Sequence, residues 1–230
     1  MDQQLANTIY TASTWLLPVL LAITLHEASH GFVAHRCGDD TAWRLGRVSF
    51  NPLKHIDPFG TILLPALLLF LHSPFLFGYA KPVPVKFDAL RHPRRDMVLV
   101  AGAGPAMNIL LAISAALLVH VVGLLPTGAH GWVLRNLENA IVINVVLAVF
   151  NMIPLPPLDG GRVAVGLLPD VLAVPLARLE RYGMPIIIGL LFIAPMLGVQ
   201  LGMDLNIVGW LLGSPVDTLI GTILRITGNA

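Results

Sequence analysis

The sequence predicts an all-α polytopic membrane protein, on three observations. Hydrophobic residues make up 56% of the 230 and charged residues only 12%, about half the share found in soluble domains. Mean hydropathy is +0.78. Long apolar stretches recur along the chain, several of them matching the roughly 20 residues needed to cross a bilayer. No polar segment is long enough to form a separate soluble domain, so residues 1–230 are expected to be a single integral membrane domain.

Each element follows from its local pattern. Residues 10–34 form the first expected span, and the stretch before it lacks the positive n-region of a secretory signal, so the span is retained. Residues 35–58 are a polar connection with Arg36, Arg44, Arg47 and Lys54. Within it, 43–50 alternates apolar and polar between turn residues, the pattern of a short strand or β-hairpin. Residues 59–77 are the second apolar stretch, interrupted by Pro65 and Pro74. A Pro-rich extended segment around 82–85 then runs among Lys81, Lys86, Arg91, Arg94 and Arg95. Spans at 97–125 and 131–153 come next, the second ending at a Pro-rich turn that leads into Asp159-Gly160-Gly161-Arg162. Two further C-terminal membrane helices are expected at about 183–200 and 207–226.

Charge orders these elements across the bilayer. Lys and Arg gather in 35–58, 78–96 and 162–181 and are missing from the N-terminus and from 123–132. Positive-inside counting puts the three basic loops in the cytoplasm. Residues 59–77 then enter and leave on one side, and their two prolines fit a re-entrant element shielded by protein. The alternative, an ordinary span, would put one basic loop on the wrong face. His26, His30 and Asp159 fall toward the cytoplasmic side together. Net charge is +1 and no basic run with interleaved aromatics appears, which excludes a nucleic-acid partner. The single cysteine, Cys37, excludes an intramolecular disulfide and a cysteine-based zinc site.

The chemistry is concentrated in His26-Glu27-Ala28-Ser29-His30. Histidines four apart share one helical face, and H-E-x-x-H is the arrangement in which two imidazoles hold zinc and the carboxylate handles a proton. Three ionisable groups in a membrane helix cost several kcal/mol unless paired or ligating, and a bound cation offsets that cost. A catalytic zinc takes a third protein ligand. Asp159 is the candidate at the same depth, with the alternative that it caps the helix beginning near Arg162. The other histidines stand at no ligand spacing.

The pair of motifs carries a family resemblance. The H-E-x-x-H helix, with Asn151-Met-Ile-Pro-Leu-Pro-Pro-Leu-Asp159-Gly160-Gly161-Arg162 downstream, resembles the site-2 protease family of intramembrane zinc metalloproteases (peptidase family M50). Ala103-Gly104-Pro105-Ala106-Met107-Asn108 resembles the family's Gly-Pro-x-x-Asn helix start, and the segment from Gly78 to Val85 resembles one between its first core helices. The match covers about residues 10–165. The resemblance implies a three-helix catalytic core and one zinc per chain on His26, His30 and Asp159. It implies Glu27 as the general base that activates water, and Asn151, with Asn108, as candidate substrate-binding residues. Asn108 is read first as an interhelical hydrogen bond. The implied substrate is a membrane-spanning protein, cut in or near its transmembrane segment in regulated intramembrane proteolysis. The implied setting is a bacterial inner membrane, with the active site toward the cytoplasm. An extended substrate could pair with 44–50 or 79–85. The chain has the short form, with no stretch long enough for a PDZ or CBS domain. A metal transporter or a non-catalytic zinc-binding scaffold is the alternative, but a transporter should line successive spans with ionisable residues, whereas here they gather at one depth.

Overall fold

The computed structural model describes residues 3–70, 78 and 80–229. Among them there is no strand, and five helices are long and apolar enough to cross a membrane. α1 (Gln3–Arg36) comes first and ends where Gly38 takes φ +111°, a left-handed backbone that only glycine adopts without strain. α2 (Thr41–Arg44) and a 3₁₀ turn at Pro52–His55 follow. A π-helical turn, Pro58–Leu63, leads into α3 (Leu64–Phe70). α4 (Pro93–Val119) starts with proline in its first turn, where the missing N–H is harmless. α5 (Thr127–Asn151) stops just ahead of Pro154. α6 (Asp159–Leu167) and α7 (Asp170–Arg178) run into α8 (Glu180–Ile188), which continues through a π turn into α9 (Ala194–Leu201). α10 (Ile207–Ile226) closes the chain.

α1, α4 and α5 pack against one another as the central bundle, with α6 laid on α4 and α10 on α5. The seam of α4, α5 and α10 is built from Ala112, Ala115, Ala116, Ile141, Val145 and Ile223. Small residues there let backbones approach closely, which is how helices associate where lipid is as apolar as the side chains. A second cluster, Ala34, Leu90 and Val100, joins the end of α1 to α4 and the loop before it.

Some polar groups inside the bundle are paired across helices. Pro18 lies within α1 and has no N–H for the Thr14 carbonyl four residues back. Asn139 of α5 fills that gap, its Nδ2 donating to Thr14 O at 3.1 Å. The proline and the asparagine are complementary.

The strand or hairpin expected over 43–50 does not form. The N–H groups of Arg44, Leu45, Gly46 and Arg47 donate back to Asp40, Thr41, Trp43 and Ala42, so the donors a ladder needs are already used. Of the expected re-entrant stretch, the described part is the π turn and α3; residues 71–77 lie outside the described residues, as does Tyr79. From Gly78 to Val85 the described chain is without regular structure, as its prolines suggest. Two of its donors are taken. Lys81 N–H bonds His55 O at 2.9 Å, Val83 N–H bonds Glu27 at 2.7 Å, and Pro82 and Pro84 have none.

Asp39 ties this loop to the end of α1. It is 1% exposed and accepts from Thr41 N–H at 2.9 Å and from Lys86 N–H at 2.6 Å. Burial raises its carboxyl pKa, but the bonds from Thr41 and Lys86 outweigh burial and hold it below the usual range. A folded-state value below the unfolded one contributes stability above the unfolded pKa, about 4, that is lost as pH falls through the folded value. Asp39→Asn is expected to cost about 1–3 kcal/mol near neutrality. The gap between the melting temperatures of variant and wild type should narrow as pH is lowered below 4. A gap independent of pH would contradict the assignment.

Candidate metal centre

α1 presents His26 and His30 one turn apart on the face turned to α4. Their rings meet edge to face, with centroids 4.7 Å apart. Gly104 of α4 is what lets them come so close. A Cβ there would lie 2.5 Å from His26 Cε1 and from His30 Nε2. Asp159 reaches the same point from the first residue of α6, where the helix dipole favours a carboxylate. Gly160 and Gly161 allow that turn because it folds tightly against the Met152 and Ile153 carbonyls and Pro156.

Three donor atoms converge. His26 Nε2 lies 3.1 Å from His30 Nε2, and the two stand 3.2 and 3.4 Å from Asp159 Oδ2. All three residues are buried. Each histidine uses its other nitrogen elsewhere. His26 Nδ1 faces Asn108 Oδ1 at 2.6 Å, and His30 Nδ1 faces the Val100 carbonyl at 2.7 Å. Both partners accept only, so each Nδ1 carries a proton, and in the neutral ring, the form that ligates a metal, each Nε2 is a bare lone pair. Asp159 Oδ2 is buried with no hydrogen-bond donor. Asp159 makes no capping bond, and its side chain turns to the imidazoles instead. Three lone pairs with no proton among them repel, and a cation removes the repulsion. Zinc fits by size as well as by chemistry: tetrahedral bonds of about 2.0–2.1 Å place neighbouring donors about 3.3 Å apart.

The remaining sequence candidates sit differently. Glu27 is half-buried and stands outside the donor group, its Oε2 accepting from Val83 N–H at 2.7 Å. Asn108 is fully buried, and its carboxamide is taken up by His26, Asn144 and the Ala22 carbonyl. That is a contact between helices, away from any surface a substrate could touch. Asn151 ends α5 and bonds its own helix at Leu147 O, 3.0 Å away. The sequence reading missed Asn139 and Asn144, although buried asparagines in an apolar span are a visible signal.

Comparison with known proteins settles the family. The profile of "Peptidase family M50" matches residues 127–194. A Bacillus subtilis (strain 168) protein named "Putative zinc metalloprotease YwhC" is 36% identical over 200 residues, covering 85% of this chain and 87% of that protein. The chain belongs to peptidase family M50. It is a membrane zinc metalloprotease. Two proteins named "Putative zinc metalloprotease Rip2" are also similar. The Mycolicibacterium smegmatis one is 31% identical over 75% of this chain and 64% of its own length. The Mycobacterium tuberculosis (strain H37Rv) one is 29% identical over 84% and 70%. No solved structure gives a significant match.

The close approach at Gly104 yields a direct test. Gly104→Ala forces both imidazoles off the helix and should weaken zinc binding by about 10-fold or more, measured by competition with a chromogenic chelator. Unchanged affinity would mean that the ring positions do not depend on this contact.

Proposed function

We propose that the peptidase cuts a peptide bond in or near a transmembrane segment of a membrane protein, in regulated intramembrane proteolysis. His26, His30 and Asp159 hold its zinc, and Glu27 serves as general base. The observation that carries this reading is the convergence of two bare imidazole nitrogens and one carboxylate oxygen within 3.4 Å, inside a helical bundle of membrane composition. When bound, zinc supplies Lewis-acid chemistry, polarising the scissile carbonyl and acidifying water.

The chain's own groups do the rest. Asn108 and the Val100 carbonyl hold the two rings so that Nε2 points inward. Asp159 supplies negative charge at the donor cluster. Glu27 follows His26 in the motif and has one carboxylate oxygen held by Val83 N–H. Its other oxygen is free to take a proton from the attacking water. The water oxygen then bonds the carbonyl carbon, the C–N bond breaks, and Glu27 returns the proton to the leaving amine. A helical substrate must unwind to offer that bond. Asn151, at the end of α5 ahead of the Asp159 turn, would bind the unwound chain once its Nδ2 leaves Leu147 O.

Purified wild type and Glu27→Gln are compared by metal analysis and by cleavage of a panel of membrane-anchored candidates. Glu27→Gln should keep zinc and lose activity by about 10²–10⁴-fold, whereas Asp159→Ala should lose zinc. Cleavage by Glu27→Gln at the wild-type rate with metal bound would sink the mechanism.

Placement in a bacterial plasma membrane with the site toward the cytoplasm rests on the basic loops beside it. Cys37, one residue beyond α1, is the chain's single cysteine and reports on this placement. A membrane-impermeant maleimide should label it in inverted vesicles and leave it unlabelled in intact cells. The reverse pattern would invert the topology.

A further inference from the structure

Asn144 of α5 touches no metal donor, yet it ends a chain of hydrogen bonds that reaches one. Its Nδ2 donates to Ala140 O at 2.8 Å, and its Oδ1 accepts from Asn108 Nδ2 at 2.8 Å. Asn108 Nδ2 also faces Ala22 O at 3.3 Å, and Asn108 Oδ1 faces His26 Nδ1 at 2.6 Å. Asn144 is 2% exposed and Asn108 0%, so water competes for none of these groups.

The chain has one direction. A backbone carbonyl only accepts, so Ala140 O requires the amide nitrogen of Asn144 and turns its oxygen to Asn108. That oxygen, with Ala22 O, requires the nitrogen of Asn108 and turns its oxygen to His26. An oxygen there requires the proton on His26 Nδ1 and leaves Nε2 bare. We propose that Asn144 is a positioning residue of the metal centre: through Asn108 it holds His26 in the tautomer that can bind zinc. The proposal rests on the reading of His26 as a zinc ligand.

The two histidines reach the same tautomer by different devices. His30 donates directly to the Val100 carbonyl. His26 is held from across the bundle, so α1, α4 and α5 must all be in register for its nitrogen to be free. Two neutral carboxamides carry the direction without carrying charge. A carboxylate in the place of Asn108 would bring a second negative group beside Asp159 in a buried, apolar setting, where an added charge is expensive. Partners one step behind a ligand typically contribute 10–100-fold to metal affinity. Asn144 acts one bond further back, so the lower end of that range is expected.

The experiment uses the full chain in lipid nanodiscs, with zinc alone as the probe in chelator competition. Nitrogen-15 NMR of labelled histidine on the metal-free protein reads the tautomer. Asn144→Leu should weaken zinc by about 10-fold and convert His26 from the Nδ1–H form to a mixture. Asn144→Ser, too short to reach Asn108, serves the same test if leucine prevents folding. Asn144→Asp, protonated in this buried setting so that its hydroxyl donates to Ala140 O, keeps an acceptor facing Asn108 and should recover most of the affinity. Asn139→Leu is the control. It removes a buried bond from the same helix, outside the chain, and should lower the melting temperature while leaving zinc affinity unchanged. Wild-type affinity with pure Nδ1–H His26 in Asn144→Leu would overturn the proposal, as would equal losses in Asn144→Leu and Asn139→Leu. A His26→Ala protein binding zinc at full stoichiometry would overturn the ligand reading itself, an outcome separable from both.

Discussion

Three lone pairs with no proton among them are the constraint around which this protein is built. His26 Nε2, His30 Nε2 and Asp159 Oδ2 lie within 3.4 Å of one another in a buried seam. With both rings neutral, a cation between them offsets their mutual repulsion. The rest of the bundle keeps them there. Gly104 removes the side chain that would push the rings apart, and Gly160 and Gly161 let the Asp159 turn fold close. Val100 and Asn108 occupy the far nitrogens. Donor convergence and helix packing are therefore one problem in this chain, since the three donors come from α1 and α6 and the groups bonded behind the histidines from α4 and α5.

Apolar surroundings explain why two asparagines of α5 find partners in neighbouring helices. A buried hydroxyl or amide left without a partner costs several kcal/mol where water cannot reach it. Asn139 answers the carbonyl that Pro18 leaves free, and Asn144 answers Asn108. α5 thus serves two purposes. Its Ile141 and Val145 pack the seam with α4 and α10, and its asparagines set hydrogen bonds in α1 and α4. Glu27 differs from the donors beside it in the motif. It is only half-buried and bonds to the loop at Val83.

Much of this was legible from residue type and spacing. The spans follow from apolar runs, and α10 falls at its expected bounds. The convergence of Asp159 with His26 and His30 was expected from matched membrane depth and from the resemblance. The region 43–50 was misread because alternation describes side chains and not where the backbone donors go. There they turn back into a local helix and turns. Asn108 was read correctly in kind, as an interhelical bond, but its partner was invisible because His26 lies 82 residues away in sequence.

By itself, the sequence determined that this chain is helical, belongs in a bilayer, and carries two histidines on one helical face with an acid between them. Those conclusions need only composition and a helical period, which are local. The tertiary structure decided which carboxylate meets the histidines, which nitrogen of each ring is bare, and how the other is held. Such choices depend on groups from separate helices approaching within hydrogen-bond distance. No local pattern encodes them, because a hydrogen bond's direction is set by whichever acceptor the packing brings to its far end.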